Sequence, residues 1–151
     1  MATIIDGSLA PRGKKKSFPN GMEWYESNIT DGSFTSVYYA NGLWVAGSLT
    51  NNGLYYSING KKWNQSNIAS GAFNSVYNAN GVWVAAGNSN NGLYYSTSGY
   101  YWAQSNIASN IFNSVYNANG IWVAASGSRN GLYYSTDGKT WTQSNVTSGH
   151  F

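Results

Sequence analysis

The sequence predicts an all-β fold built from short four-stranded units, and three observations carry that prediction. A 39-residue repeat runs through the chain: Asn52-Gly53-Leu54-Tyr55-Tyr56-Ser57 returns at 91–96 and again at 130–135. Self-similarity at such a period marks a repeat architecture. Each repeat divides into four short runs rich in β-branched and aromatic residues, parted by Asn, Gly and Ser; these are strand and turn residues respectively. No segment carries the 3.6-residue apolar period of a helix.

The third repeat shows the elements in order. Phe112-Asn113-Ser114-Val115-Tyr116 leads into Asn119-Gly120, a two-residue hairpin signal because both residues tolerate positive φ. Ile121-Trp122-Val123-Ala124 follows, apolar on both faces, as expected of a strand covered on both sides. A polar loop then reaches Leu132-Tyr133-Tyr134-Ser135, Asp137-Gly138 forms the next turn, and Trp141-Thr142-Gln143-Ser144 is the fourth run. The step of 39 also holds for Phe34, Phe73, Phe112 and Phe151, for Trp44, Trp83 and Trp122, and for Trp24, Trp63, Trp102 and Trp141, with no gap. Trp44, Trp83 and Trp122 are expected in the core, and Trp63, Trp102 and Trp141 between units. The repeats span about 34–72, 73–111 and 112–150, inside a module of 23–151 that follows an extended arm at 1–22.

Four antiparallel strands in about 40 residues is the pattern of a β-propeller blade. The alternative is a β-trefoil, which also uses three four-stranded repeats and closes on its own. Three blades make an open arc, whereas propellers close with about 4 to 8. Apolar end faces drive association and rotational symmetry is its usual outcome, so a homodimer closing one six-bladed ring is expected. Trp24-Tyr25-Glu26-Ser27-Asn28-Ile29 is a surplus copy of the fourth-strand segment Trp63–Ile68. It would complete a unit across the joint or tie the arm to a neighbouring molecule.

Composition bounds the function. The 151 residues are 17% aromatic, 42% hydrophobic and only 9% charged, too rich in Trp, Tyr and Val for a disordered chain. No apolar run approaches the roughly 20 residues of a bilayer-spanning helix. With no Cys there is neither disulfide nor thiolate metal site. Met1 to Gly13 carries no charged leader followed by an apolar stretch, so no signal peptide is expected. Half of the basic residues (Arg12, Lys14, Lys15, Lys16) cluster in the arm rather than along a folded face; they are read as a solvated tail or a dock for an acidic partner, not as a nucleic-acid interface.

Catalysis is not expected. His150 is the single His, and the carboxylates are Asp6, Glu23, Glu26, Asp31 and Asp137, most of them in or beside the arm. No carboxylate pair falls within one repeat, and no Ser-His-Asp set, HExxH motif or phosphate-binding loop is present. No cofactor or metal is expected. What recurs instead is Tyr56, Tyr95 and Tyr134, with Gln65, Gln104 and Gln143. A flat apolar ring beside neutral donors and acceptors suits a sugar, and Arg129 in the third loop joins this ligand-binding set.

Ser135-Thr136-Asp137-Gly138-Lys139-Thr140-Trp141 resembles the Asp-box of bacterial neuraminidase repeats, whose pattern is Ser-x-Asp-x-Gly-x-Thr-Trp. One residue fewer separates Asp137 from Trp141, and Asn59 and Ser98 stand at the Asp position of the first two repeats. The resemblance implies a propeller in which the Asp or Ser side chain bonds local backbone N–H groups and the Trp packs between units. It does not extend to sialidase activity, which needs an arginine cluster where this chain has only Arg12 and Arg129. The chain is also similar to small lectin propellers assembled from short repeat chains, which implies sugars held between adjacent blades, a glycan or cell-surface polysaccharide as partner, and multivalency through self-association. Two other readings stay open. The Pro-punctuated basic arm (Pro11, Pro19) fits anchoring of a virion or phage-appendage module to a larger particle, placing it outside the cell. The near-identity of the repeats fits a duplicated or engineered scaffold without ligand.

Overall fold

The structure, a computed structural model, describes residues 15–17, 23–127 and 130–149. Arg129, His150, Phe151 and the arm residues Arg12, Lys14, Pro11 and Pro19 lie outside the described residues. Two short strands come first, β1 (Lys15–Ser17) and β2 (Glu23–Tyr25), paired antiparallel. Three four-stranded antiparallel sheets follow, each a meander of consecutive strands and each one sequence repeat. The first sheet holds β3 (Phe34–Ala40), β4 (Leu43–Ser48), β5 (Leu54–Ser57) and β6 (Asn64–Gln65). The second holds β7 (Phe73–Ala79), β8 (Val82–Gly87), β9 (Leu93–Ser96) and β10 (Ala103–Gln104). The third holds β11 (Phe112–Ala118), β12 (Ile121–Ser126), β13 (Leu132–Ser135) and β14 (Thr142–Gln143). Among the described residues there is no helix.

Local chemistry sets the turns. Asn41-Gly42, Asn80-Gly81 and Asn119-Gly120 join first to second strands with positive φ at both residues (51–52° for the Asn, 78–80° for the Gly), the conformation that matches hairpin twist. A bulge follows the opening Phe of every first strand, where the register shifts between Phe73 and Ser75 and at the equivalent positions. In a regular strand Phe73 and Val76 would point to opposite faces; the extra residue puts both on one. The fourth strands are shorter than the four-residue run expected. Ser144 Oγ accepts from Val146 N at 3.1 Å, which curls the chain out of the ladder after Gln143.

Each sheet has a tryptophan face and a valine face, and the sheets stack one face on the other. In the first junction Leu43, Val45 and Leu54 on the valine face of the first sheet meet Phe73, Val76, Trp83, Ala85 and Trp102 of the second. The second junction repeats this, Val84, Ala86 and Leu93 meeting Phe112, Val115, Trp122, Ala124 and Trp141. Burial of such side chains stabilises by about 1.5–3 kcal/mol each. Trp83 and Trp122 are 2% exposed, whereas Trp44 is only half-buried. The cause is position: among the described residues no further sheet covers the tryptophan face of the first, and Val37 is 56% and Tyr39 52% exposed. At the other end the valine face of the third sheet is open, with Ile121 43% and Val123 41% exposed.

Candidate ligand-binding cleft

The turn between third and fourth strands is the local device that shapes the candidate site. Ser135 Oγ accepts from Asp137 N (3.2 Å) and Gly138 N (2.9 Å) and donates to Asp137 Oδ1 (2.9 Å). Asp137 Oδ1 also accepts the N–H groups of Thr140 and Lys139, each at 2.8 Å. Those backbone donors, Thr140 foremost, hold the Asp137 carboxyl below the usual carboxylate range. Asn59 Oδ1 does the same for Lys61 N and Lys62 N (2.9 Å each), and Ser98 Oγ for Tyr100 N and Tyr101 N (3.2 and 3.3 Å). The tryptophan that follows donates Nε1 to the turn glycine's carbonyl (Trp102 to Gly99 at 3.0 Å, Trp141 to Gly138 at 3.2 Å). A neutral side chain thus suffices for this turn, and its two residues before the tryptophan project outward at each junction.

At the first junction this geometry opens a cleft of ≈ 380 Å³ lined by Tyr56, Gln65, Ser66, Asn67, Tyr100 and Tyr101. The Tyr56 and Tyr100 rings meet edge to face at 4.7 Å, and Tyr101 is 77% exposed. Asn67 is fixed by two bonds to the second sheet, accepting from Trp102 N (2.7 Å) and donating to Trp102 O (3.0 Å). The cleft therefore has rigid polar walls and an exposed ring at its rim, a combination that presents an apolar stacking surface beside hydrogen-bonding groups.

The structure brings some of the expected ligand-binding residues together and separates others. Tyr56 lies in the cleft, and Tyr95 holds the equivalent place at the second junction. There Lys139 Nζ stands 5.7 Å from the Tyr95 ring centroid where Tyr100 stands at the first, a cation–π contact. Tyr134 is 44% exposed on the open face of the third sheet. The glutamines are committed to their own loops. Gln65 Nε2 donates to Asn52 O (2.8 Å) and Ala69 O (3.2 Å), Gln104 Nε2 to Asn91 O and Ala108 O, and Gln143 Nε2 to Asn130 O. Register also puts Gln65 opposite Tyr55 and Asn64 opposite Tyr56, so the Gln65 amide turns to the face away from Tyr56. Arg129 lies outside the described residues.

Ser66 and Asn67 also line the cleft, and their recurrence at the 39-residue step is the signal of them that the sequence carries. A second feature missed from sequence is the ladder of Tyr38, Tyr77 and Tyr116 on adjacent first strands, with centroids 4.6 and 4.7 Å apart. Hydrogen bonding with Tyr77 raises the Tyr116 phenol above its ordinary range. Among the described residues no group of three or more His, Cys, Asp or Glu could hold a metal ion, and no helix is long and apolar enough to cross a membrane.

No family model matches the sequence, and neither does any curated protein. Among solved structures the chain is similar to the computationally designed Ika8 protein, with a TM-score of 0.59 and 10% identity over 80% of this chain and 38% of that one. It is also similar to the computationally designed Ika4 protein, with a TM-score of 0.57 and 8% identity over 83% of this chain and 80% of that one. At such identities the likeness concerns the fold alone.

Proposed function

We propose that this chain is a non-catalytic, carbohydrate-binding module of the β-propeller kind, each sheet one blade, with a second copy completing a ring of six. The cleft of Tyr56, Ser66, Asn67, Tyr100 and Tyr101 carries the ligand half of this reading. It offers aromatic rings and neutral polar groups without a charged side chain, which fits a neutral sugar better than an ionic ligand. The Ser135–Asp137 turn supports the resemblance to Asp-box repeats, in which that motif is architectural. The two unmated faces support ring closure by a second copy and count against a trefoil, whose three repeats need no partner.

The test is a screen of neutral oligosaccharides followed by saturation-transfer NMR on any that bind. Expected are contacts to the cleft tyrosines and a loss of about five- to tenfold in affinity for Tyr101→Ala, as a single exposed stacking contact is worth roughly 1–1.4 kcal/mol. The far-UV spectrum should not change. Absence of binding to every neutral glycan by the wild-type chain would overturn the carbohydrate half of the proposal and leave the architecture standing.

A further inference from the structure

The surplus segment before the first sheet repeats a contact that the chain otherwise makes only between sheets. Asn67 follows the fourth strand of the first sheet and binds the backbone of Trp102 in the second through both amide atoms; Asn106 does the same to Trp141 in the third (2.8 and 2.9 Å). Asn28 makes the identical pair with Trp63, accepting its N–H at 2.7 Å and donating to its carbonyl at 3.0 Å. The local turn is also the same in all four copies, a serine Oγ accepting from the N–H two residues on: Ser27–Ile29, Ser66–Ile68, Ser105–Ile107 and Ser144–Val146. Residues 26–29 thus sit on the tryptophan face of the first sheet as the end of a preceding sheet's fourth strand would.

Among the described residues they are a fourth strand without its sheet. The later copies are bonded to a third strand, with Leu54 N, Leu93 N and Leu132 N donating to the carbonyls of Ile68, Ile107 and Val146 at 2.9–3.0 Å. Upstream of residues 26–29, β2 pairs with β1 instead. Beneath Ser27 and Ile29 lies a hollow of ≈ 210 Å³ lined also by Phe34, Val37, Ala46 and Trp63. Their equivalents at the first junction, Phe73, Val76, Ala85 and Trp102, are buried to 4% exposure or less, under Val45 and Leu54 of the first sheet. The repeat equivalents of Val45 and Leu54 are Val123 and Leu132, on the open valine face of the third sheet. The chain carries both halves of a surface that it mates twice within itself, so the occupant this face fits is the third sheet of a second copy.

That copy brings its own Asn145, the fourth member of the asparagine series, and Trp63 has a single backbone N–H to give, its indole N–H being donated to Gly60 O. We infer that residues 23–30 are a self-mimicking cap, which occupies the docking position in the lone chain and must yield to residues 144–147 of a second copy when the ring closes. The inference rests on the six-bladed reading above. The cap is the side that yields because the alternative is costlier. Residues 141–147 are paired with β13 and anchored by Trp141, 3% exposed in the second junction. Among the described residues no third strand pairs with residues 26–29 of the cap.

The experiment compares wild type, Asn28→Ala and Asn145→Ala by sedimentation velocity over a wide concentration range, with hydrogen exchange of residues 24–29 in monomer and dimer. Both asparagines are exposed, so the variants should fold. Expected is tighter dimerisation of Asn28→Ala and weaker dimerisation of Asn145→Ala, each by about five- to tenfold per joint for the loss of two side-chain bonds to backbone. Exchange at 24–29 should quicken on dimerisation. If wild type dimerises but Asn28→Ala weakens it or leaves it unchanged, or exchange at 24–29 slows, the cap is refuted and the ring stands. If neither wild type nor Asn28→Ala dimerises at any concentration, the ring reading fails and the cap with it.

Discussion

Trp44 and Trp83 occupy the same position in adjacent repeats, and the structure makes their replacement by alanine cost different amounts. Trp83 is 2% exposed, enclosed by Leu43, Val45 and Tyr38 of the first sheet and by its own sheet, with Tyr38 edge-on at 6.1 Å. Its removal leaves a closed cavity between two sheets, so Trp83→Ala should lose about 3–5 kcal/mol. Trp44 rests on Tyr39 at 4.7 Å, but among the described residues no sheet lies over it. Its removal forfeits only part of that buried area and opens to solvent rather than to a void, so Trp44→Ala should lose about 1–2 kcal/mol. Denaturant unfolding followed by far-UV circular dichroism, on chains dilute enough to be monomeric, reads both values from midpoint shifts at unchanged slope. Equal losses, or a loss under about 1 kcal/mol for Trp83→Ala, would refute the stacking order of the sheets. If a second copy covers the first sheet, the cost of Trp44→Ala rises toward that of Trp83→Ala as concentration increases.

The repeated Asn-Gly-Leu glycine is a second point of leverage. A Cβ on Gly92 (φ +67°) would lie 2.1 Å from the carbonyl oxygen of Ile107, and Gly92→Ala should cost about 2–4 kcal/mol in thermal or denaturant unfolding. Gly81, equally left-handed at +78° but with nothing within 4 Å, is the control: Gly81→Ala should cost only about 1 kcal/mol. Asp137 governs an acid-sensitive increment. Its folded pKa lies below the unfolded one, so its contribution is fully present above the unfolded value and disappears as pH falls through the folded value. Asp137→Asn, which copies the Asn59 turn, should change neutral-pH stability by under about 1 kcal/mol, since the group is exposed. The variant should also flatten the acid limb of the stability–pH curve, and an unchanged limb would remove Asp137 from the turn's energetics.

Strands, hairpins and repeat boundaries could be read from the sequence because their causes are local. Asn-Gly gives the same tight hairpin turn at 41–42, 80–81 and 119–120, and runs such as Leu-Trp-Val-Ala and Leu-Tyr-Tyr-Ser state strand and turn within a few residues. The residues that line the candidate cleft were only partly readable. Tyr56 and Tyr95 fall at the two junctions and Tyr134 on the open face of the third sheet, but the glutamine amides bond carbonyls thirteen residues earlier, a pairing that exists only once strand and loop are side by side. The sequence by itself determined the all-β class, the 39-residue unit and the three sheets. Only the tertiary structure decided that Trp83 is buried while Trp44 is not, and that the surplus Asn28 holds Trp63 as Asn67 holds Trp102. Those outcomes depend on which neighbour lies over a face, and repeats that share their core residues carry no local record of which one stands at the end of the stack.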